Sequence, residues 1–420
     1  MTESQRTGHV RRGGSGRRTG PRRAHMIRLQ SAVIVLLGFS AVVSTGVAQA
    51  SQPRAAAART WQVAPTPNQN RVSAGINELS AVSCTSVRAC TAVGSHAASL
   101  SGSSSTLAER WNGTRWRIQA TAIPTGAKST AFSGVSCASA AACTAVGSTI
   151  HKGTHRSVNL AEAWNGRRWR LQSIPTPRSS TGGNLSAVSC TSRSACTAVG
   201  FYGTATGRVL ALAERWNGAA WRIQDVTRPA KVTLSAVSCS SAHACTAAGY
   251  YIGTRRTVPI VEVWNGTTWR IQPVPLPHGS PGGALAAVSC TSPRQCTATG
   301  ANFSPAGPTL AERWNGTRWH VQATPFPADS STSPQEVELN AVSCASATAC
   351  TASGEYAPGG QSAYFLEAWN GRRWHMVTAP HPAGFASGAL NGVSCVPARC
   401  TAVGAWSGGP IFIATLAMAN

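Results

Sequence analysis

Pairs of cysteines recur along the chain at a nearly constant interval, and this repeat constrains the fold more than any other feature of the sequence. Six pairs have five intervening residues and the last pair has four. The pairs are Cys84 with Cys90, Cys137 with Cys143, Cys190 with Cys196, Cys239 with Cys245, Cys290 with Cys296, Cys344 with Cys350 and Cys395 with Cys400. The first cysteines of successive pairs lie 53, 53, 49, 51, 54 and 51 residues apart. A period near fifty residues is typical of a propeller or of an array of repeats.

The cysteine pairs are predicted to be disulfides. Their number is even, and none is left over. An even set of cysteines in an exported chain indicates a disulfide framework. Zinc is the alternative, but zinc knuckles usually place two to four residues between cysteines and need further ligands nearby. No histidine or second cysteine pair keeps a fixed offset from these pairs. We therefore expect neither a metal nor a cofactor.

Each repeat predicts four short strands. In the first repeat, LSAVSC and CTAVG flank the loop between the paired cysteines, and LAERW and TRWRIQ follow after a variable stretch. Alternating segments rich in β-branched residues, glycine and proline favour strands, and no segment has a sustained period of 3.6. The predicted fold is all-β, a seven-bladed β-propeller of four-stranded antiparallel blades. The blade cores begin near residues 79, 132, 185, 234, 285, 339 and 390.

An Asn-Gly pair joins the third and fourth strands in six repeats. Asn-Gly between alternating segments favours a two-residue type I′ turn, because both central positions need positive φ. In the first repeat this register places Trp111 opposite Thr114 and Glu109 opposite Trp116. The residues Glu109, Trp111 and Trp116 would then share one face. The other face would hold Arg110 and Arg115.

Tryptophan and glutamate occupy fixed positions in these hairpins. Twelve of the fourteen tryptophans form pairs: Trp111/Trp116, Trp164/Trp169, Trp216/Trp221, Trp264/Trp269, Trp314/Trp319 and Trp369/Trp374. Such regular aromatic residues are expected to fill the space between neighbouring sheets, not to bind a ligand. Six glutamates recur at one position: Glu109, Glu162, Glu214, Glu262, Glu312 and Glu367. This repetition predicts a structural hydrogen bond or charge in each blade.

The last repeat lacks its fourth strand, and the start of the repeat region supplies one. The chain ends after the third strand of the seventh blade, whereas residues 59–67, RTWQVAPTP, resemble an isolated fourth strand. We predict that this strand pairs beside residues 411–417 and closes the ring, which removes two free sheet edges. Trp61 precedes its proline by four residues, whereas Trp169 precedes its proline by six. The register of the closing strand is therefore left open.

The repeat resembles the kelch repeat of galactose-oxidase-type propellers. The resemblance rests on CTAVG, a variable stretch, LAERWNGTRWRIQ and a P-x-P tail, and it covers about residues 60–420. The repeats are also similar to those of exported actinobacterial proteins of unknown role. The resemblance implies a propeller of four-stranded blades and no particular activity. Kelch repeats have a double glycine where Gly94 stands alone, and they lack the cysteine pairs.

Residues 1–50 are predicted to be a basic leader with a secretory signal peptide. An arginine-rich start precedes a short apolar run that ends in Ala48-Gln49-Ala50, a cleavage pattern of small residues. A membrane anchor is the alternative, and Met26 is an alternative start. Residues 51–420 would then form a single propeller domain. We expect it to be secreted or associated with the cell envelope, monomeric, and without a stable membrane span.

Arginine dominates the charge of the chain. The whole chain carries 37 basic and 13 acidic residues; without residues 1–50, which hold eight arginines and one glutamate, 29 and 12 remain. Many of these arginines lie in the hairpins of the third and fourth strands, among them Arg110, Arg115, Arg167, Arg168, Arg313, Arg318, Arg372 and Arg373. Such a rim is suited to an anionic cell-wall polymer, an acidic polysaccharide or extracellular nucleic acid bound through counterion release, without specific recognition of nucleic acid. A solvated outer edge is the alternative reading.

The variation among repeats falls in the loops between the second and third strands and in the connections from each fourth strand to the next repeat, which indicates a uniform scaffold with one presenting surface. Aromatic residues cluster in the loops between the second and third strands, and we predict that they contact a glycan or a protein. These candidate binding residues are Tyr202, Tyr250, Tyr251, Phe303, Tyr356 and Trp406. The alternative is that these side chains cap the apolar ends of the blades.

Catalysis has little support in the sequence. A glycosidase needs two placed carboxylates. Outside the repeated position, the carboxylates near the variable loops are Glu78, Glu336, Glu338 and Glu355. A pocket that combines Glu336, Glu338 or Glu355 with aromatic walls would favour a glycoside hydrolase or lyase. An axial channel lined only by serine, alanine and glycine would favour a non-catalytic binding or scaffold protein. A structural surface protein without a small ligand is the third possibility.

Overall fold

The computed structural model describes residues 60–67, 75–99, 102–154, 156–178, 180–226, 231–304, 307, 309–325, 327, 337–357, 360–409 and 414–420. These residues form seven four-stranded antiparallel sheets. The predicted leader, residues 1–50, lies outside them, as does Glu336. Among the described residues there is no helix of the length and apolarity that a membrane crossing requires.

The strands are assigned to blades in chain order. Blade 1 contains β2 (Ile76–Ser86), β3 (Ala89–Ala97), β4 (Ser104–Trp111) and β5 (Trp116–Gln119). Blade 2 contains β6 (Ala127–Ser139), β7 (Ala142–His151), β8 (Ser157–Trp164) and β9 (Trp169–Leu171). Blade 3 contains β10 (Ser180–Ser192), β11 (Ala195–Thr204), β12 (Val209–Trp216) and β13 (Trp221–Gln224). Blade 4 contains β14 (Val232–Ser241), β15 (Ala244–Ile252), β16 (Thr257–Trp264) and β17 (Trp269–Gln272).

The remaining blades follow the same order until the last strand. Blade 5 contains β18 (Gly283–Ser292), β19 (Gln295–Asn302), β20 (Thr309–Trp314) and β21 (Trp319–Gln322). Blade 6 contains β22 (Glu338–Ser346), β23 (Ala349–Tyr356), β24 (Ala363–Trp369) and β25 (Trp374–Val377). Blade 7 contains β26 (Ser387–Val396), β27 (Arg399–Ser407), β28 (Ala414–Ala419) and, from the start of the chain, β1 (Gln62–Ala64).

The blades form a closed ring around an axis. The first strand of each blade contacts the first strands of both neighbouring blades, and β26 of blade 7 contacts β2 of blade 1. The first strands therefore surround the axis, and the fourth strands lie at the outer circumference. The predicted seven-bladed β-propeller is confirmed.

The closing strand has the register of an ordinary fourth strand. Val63 lies opposite Met418, and Ala64 lies opposite Ala417, which corresponds to Ile118 opposite Glu109 in blade 1. Strand β1 thus pairs with residues 417–419. Only Ala417 belongs to the predicted partner segment, residues 411–417, and the other two partners lie beyond its C-terminal end. Pro65, four residues after Trp61, does not shift this pairing. The hydroxyls of Thr66 and Thr415, which lie just beyond it, are 2.7 Å apart. Two threonine hydroxyls make the equivalent contact in blade 1, also at 2.7 Å.

The predicted pairing of the third and fourth strands is wrong by two residues. Trp111 pairs directly with Trp116, so a four-residue connection joins the strands, not a two-residue turn. Asn112 Oδ1 accepts hydrogen bonds from the backbone N–H groups of Thr114 and Arg115, both at 3.0 Å, which stabilises the wider loop. Glu109, Trp111 and Trp116 still share one face. The residue opposite Arg110 is Arg117, not Arg115.

All seven predicted disulfides are present, with Cα atoms 3.9 to 4.0 Å apart. Each one joins the first strand of a blade to the second. They link Cys84 with Cys90, Cys137 with Cys143, Cys190 with Cys196, Cys239 with Cys245, Cys290 with Cys296, Cys344 with Cys350 and Cys395 with Cys400. The described part of the chain contains no free cysteine. The disulfide prediction is confirmed, and no cysteine thiolate is available there as a zinc ligand.

The second cysteine of each pair also contacts the preceding blade. The Thr91 hydroxyl of blade 1 lies 3.6 Å from Cys143 Sγ of blade 2, and it is the donor because a disulfide sulfur carries no hydrogen. A threonine makes this contact in every blade, at 3.4 to 3.9 Å. The sulfurs that accept are those of Cys90, Cys143, Cys196, Cys245, Cys296, Cys350 and Cys400. Cysteine spacing alone did not predict this second role, because it depends on the neighbouring blade.

Serines beside the first cysteines join the blades as well. The Ser83 hydroxyl accepts a hydrogen bond from the Cys137 N–H of the next blade at 2.9 Å. Each later blade repeats this bond, and the last one runs from the Cys84 N–H to Ser394 of blade 7. Seven equivalent bonds therefore link the ring near its axis.

A steric constraint explains why the segment CTAVG ends in glycine. In blade 1 the pairing of the first two strands shifts between Leu79 and Ala81. A Cβ atom on Gly94 would overlap the carbonyl of Glu78 in the adjacent strand. The first strand can approach this closely only where the second strand has no side chain.

Tryptophan pairs and arginines pack between the blades. The rings of Trp164 and Trp169 lie 5.8 Å apart, and the Trp169 indole N–H donates to Gln119 Oε1 of the preceding blade at 3.1 Å. The guanidinium of Arg110 lies 5.6 Å from the Trp164 ring centroid. Arg313 packs in the same way on the first tryptophan of blade 6, at 5.1 Å. These two arginines join blades, so they are not part of a solvated rim.

The six repeated glutamates are completely buried. Glu162 accepts a hydrogen bond from the Ala122 N–H at 2.9 Å, and Glu214 accepts one from Asn159 Nδ2 at 3.2 Å. Neither carboxyl oxygen of Glu312 or Glu367 has a hydrogen-bond partner among the described residues. Of the predicted structural hydrogen bond or charge in each blade, the hydrogen bond is therefore not formed by these two glutamates within the described residues.

Burial raises the pKa values of these carboxyl groups. It raises the pKa to about 7 for Glu162 and to about 8 for Glu109, Glu214, Glu312 and Glu367. Desolvation disfavours the charged form, and no nearby cation offsets this cost. Blade 7 has a buried methionine, Met418, at the equivalent position. An uncharged methionine at this position is consistent with glutamates that are neutral in the folded state.

Candidate functional site

The loops between the second and third strands and the connections from each fourth strand to the next blade form one face, which we call the variable face. Every candidate aromatic residue lies where a second strand reaches this face. Tyr202 is in β11, Tyr250 and Tyr251 are in β15, Phe303 directly follows β19, Tyr356 ends β23, and Trp406 is in β27. The structure thus places the candidates on one face but in different blades.

Three of these six aromatic side chains pack against the ends of the blades. Tyr202 is 5% exposed and belongs to the apolar cluster between blades 2 and 3. Its ring fills the core, which favours the alternative that it caps the apolar end of the blade. Tyr251 packs against the cluster of blade 4. The Tyr356 ring lies edge-on to Phe365, with centroids 6.0 Å apart. These contacts favour the capping role for the three tyrosines.

The disulfide cysteines belong to the scaffold and not to this face. Each pair flanks a loop between the first and second strands, at the opposite end of the blade. The second cysteines are buried in six blades and half-buried in blade 7. Those cysteines are Cys90, Cys143, Cys196, Cys245, Cys296, Cys350 and Cys400. They fix the strands that carry the variable face, but none of them can contact a ligand there.

Trp406 is the candidate that lines a concave surface. A groove of ≈ 370 Å³ is bordered by Trp406, Glu78, small residues of blade 7 and one serine of blade 6. Gly388 lies directly across from Trp406 on the adjacent strand, where a Cβ atom would lie 2.8 Å from the Ala405 carbonyl oxygen. The small side chains leave the volume open. We call this volume the Trp406 groove.

Three carboxylates lie close to this groove. Glu338 and Glu355 are directly opposite each other on the first two strands of blade 6. Burial raises the pKa of both, and for Glu355 the negative charges of Glu338 and Glu78 raise the pKa further. Glu78 Oε1 accepts a hydrogen bond from Asn391 Nδ2 at 2.9 Å. Blades 6 and 1 therefore hold these carboxylates on either side of blade 7, near the axis.

Glu78, Glu338 and Glu355 are all half-buried. Glu78 and Glu338 lie on first strands, and the surface around the axis is therefore not lined only by small residues. No group of three histidine, cysteine, aspartate or glutamate side chains within the described residues is arranged to hold a metal ion. These carboxylates can accept hydrogen bonds from a ligand, and the Trp406 indole can pack against an apolar ring face of the ligand.

Sequence reasoning did not single out Asn391, which binds Glu78. A signal was present, since blades 6 and 7 have asparagine in the first strand where blades 1 to 4 have serine. Departures from a repeat indicate positions that serve more than the scaffold. The Trp406 groove itself required the structure, because it depends on which small residues surround the indole.

Comparison with known proteins finds only distant structural likenesses. No protein-family model matches the chain, and no curated protein matches it. Among solved structures, YCF48 bound to D1 peptide is 11% identical and has a TM-score of 0.49, with 87% of this chain and 98% of that chain covered. The WD40 propeller domain of Doa1 is 10% identical with a TM-score of 0.48, covering 86% and 97%. A Trypanosoma rangeli sialidase is 9% identical with a TM-score of 0.43, covering 83% and 54%.

These likenesses assign no role to the chain. The kelch-type origin of the repeat is not confirmed by them, since no family model matches. The function must be argued from the residues of the variable face.

Proposed function

We propose that this protein is an exported, non-catalytic binding propeller that holds a glycan or a protein segment at its variable face. The observation that carries the proposal is the Trp406 groove, where an indole ring and the Glu78 carboxylate border the same concavity. An aromatic wall with few polar groups is typical of ligand sites. The scaffold supports this role, because disulfides and interblade hydrogen bonds fix the strands that carry the groove.

Export is supported by two features. Seven disulfides are typical of proteins in an oxidising compartment. The leader over residues 1–50 has the composition of a secretory signal. We further propose that the basic residues favour association with anionic surfaces of the cell envelope.

Replacing the indole of Trp406 should weaken ligand binding. The mature protein, residues 51–420, would be screened on an array of glycans, and the affinity of each bound glycan measured by calorimetry. We expect Trp406→Ala to weaken binding at least ~10-fold, because it removes the apolar wall of the groove. The control is Tyr250→Ala, which alters an aromatic residue of the same face in blade 4. Equal affinity for wild type and Trp406→Ala, or equal loss in both variants, would contradict the groove as the site.

A carbohydrate-active enzyme is the second candidate, favoured by the facing carboxyl groups of Glu338 and Glu355. Side chains directly opposite on antiparallel strands have Cβ atoms about 5 Å apart. Retaining glycosidases place their two carboxyl groups at a comparable separation. A raised pKa, as at Glu355, is what a general acid requires.

Turnover measurements separate the two candidates. If the protein is a binding propeller, any glycan that it binds on the array should be recovered intact after prolonged incubation with the protein. Chromatography of the incubated glycan is the measurement. Cleavage by wild-type protein that is lost in both Glu338→Gln and Glu355→Gln would instead establish the enzyme. Asp225→Asn, which changes an exposed carboxylate of the same face, is the control for both outcomes.

A further inference from the structure

The face opposite the variable face carries arginine without any acidic residue. We call it the hairpin face: it consists of the seven loops between the first and second strands and the six Asn-Gly connections. The two kinds of loop touch each other, since the Trp111 indole N–H donates to the Val87 carbonyl at 3.2 Å and the Arg88 side chain lies against Gly113. Its exposed arginines are Arg88, Arg115, Arg167, Arg168, Arg193, Arg294, Arg318, Arg372 and Arg373.

No aspartate or glutamate side chain compensates this charge. The loops of the hairpin face contain no aspartate or glutamate. Of the ten acidic residues in the described part of the chain, six are buried between blades. The other four, Glu78, Glu338, Glu355 and Asp225, lie toward the variable face. The positive potential of the hairpin face therefore extends into solvent without an acidic side chain in its loops to neutralise it.

The hairpin face is preorganised and has only short loops. Asn165 Oδ1 accepts hydrogen bonds from the backbone N–H groups of Arg167 and Arg168, both at 3.0 Å. Asn370 holds Arg372 and Arg373 in the same way, also at 3.0 Å. Disulfides flank each loop between the first and second strands. Arginines on fixed backbone lose little backbone entropy on binding, and shallow loops suit an extended partner better than a small ligand.

The chemistry of the face favours phosphate over nucleobases. Arginine presents a planar fork that binds phosphate oxygens in bidentate fashion. Proteins that bind single-stranded nucleic acid add exposed aromatic rings on which bases stack. Here the tryptophans beside the hairpins pack in pairs between blades, with centroids 5.8 to 5.9 Å apart. The described loops of this face contain no tyrosine or phenylalanine.

We propose that the hairpin face binds a linear phosphodiester polymer that lacks bases, independently of the ligand at the Trp406 groove. This inference deepens the proposed envelope association by assigning it to one face and one chemical class. Binding would release condensed counterions, so the affinity should fall steeply as salt rises. The protein would then attach by one face and present the other.

Poly(glycerol phosphate) is the probe for this proposal, and fluorescence anisotropy of the labelled polymer is the measurement. Four exposed arginines would be replaced together, as Arg167→Gln, Arg168→Gln, Arg372→Gln and Arg373→Gln. The control replaces four exposed arginines of the variable face, as Arg178→Gln, Arg208→Gln, Arg255→Gln and Arg256→Gln, and changes net charge equally. Thermal unfolding verifies that both variants fold.

We expect the hairpin-face variant to lose at least ~10-fold in affinity, and the slope of log affinity against log salt to fall by roughly 3, at about 0.7 to 0.9 per lost phosphate contact. The control should retain the wild-type slope. Equal losses in both variants would overturn the proposal, since net charge alone would explain them. Tighter binding of single-stranded or duplex DNA with the same number of phosphates would overturn the chemical class. Trp406→Ala should leave polymer binding unchanged, which separates this result from the test of the groove.

Discussion

Trp61→Ala should destabilise the folded protein by about 3–5 kcal/mol, the usual range for removing a buried aromatic side chain from a core. The Trp61 indole is 6% exposed and packs with Leu366 and Met418 between blades 6 and 7. Deleting residues 59–67 should cost more, because it also removes the hydrogen bonds of β1 and leaves β28 as a free edge. Urea unfolding of the mature protein measures both losses.

The closure experiment has two controls. Trp216→Ala truncates a half-buried tryptophan within blade 3 and should cost less than Trp61→Ala. Deletion of residues 51–58, directly before the closing strand, should leave the unfolding midpoint near that of the wild type. If deleting residues 59–67 had no larger effect than deleting residues 51–58, the closed ring would be refuted.

Raising the pH from 5 to 8 should destabilise the protein. The buried carboxyl groups have folded-state pKa values of about 7 to 8, above the ordinary value of 4.5. Below pH 4.5 both states are protonated, so no penalty arises. Between 4.5 and 8 the unfolded chain releases protons that the folded state retains, so stability falls with pH and levels off above 8. Each pKa unit corresponds to about 1.4 kcal/mol per group.

Glutamine substitution at a carboxyl without a partner isolates this effect. Glu312→Gln and Glu367→Gln keep the volume but cannot ionise, so each should flatten the fall in stability between pH 5 and 8. Urea midpoints measured across that range provide the test. Asp225→Asn, at an exposed site, is the matched control and should leave the curve unchanged. A wild-type stability that rises through this window would refute neutral carboxyl groups between the blades.

The repeat made most of the fold predictable. Seven cysteine pairs and a regular period predict the blades, and a lone fourth strand before the first repeat predicts the closure. The register of the Asn-Gly hairpins was not predictable from the dipeptide, because Asn112 Oδ1 stabilises a wider loop than the two-residue turn. The positions of Arg110 and Arg313 depend on the neighbouring blade, which local sequence does not describe.

The candidate site was predictable only as a face. Variation among repeats identifies the variable face, but burial decides which aromatic residues reach solvent. Tyr202 fills a core cluster, whereas Trp406 borders a groove, and both stand in similar surroundings in the sequence. Glu78 and Glu355 lie far apart along the chain and come close because the ring closes. Single repeats carry no information about that proximity.

Hydrogen exchange with and without a glycan identified on the array tests the central claim most directly. We expect the bound ligand to protect backbone amides around residues 387–390 and 405–409, which border the Trp406 groove. The Asn-Gly connections of the hairpin face, such as residues 112–115, should exchange at the same rate in both samples. Protection confined to the hairpin face, or no protection around the groove, would contradict a binding propeller that holds its ligand at the variable face.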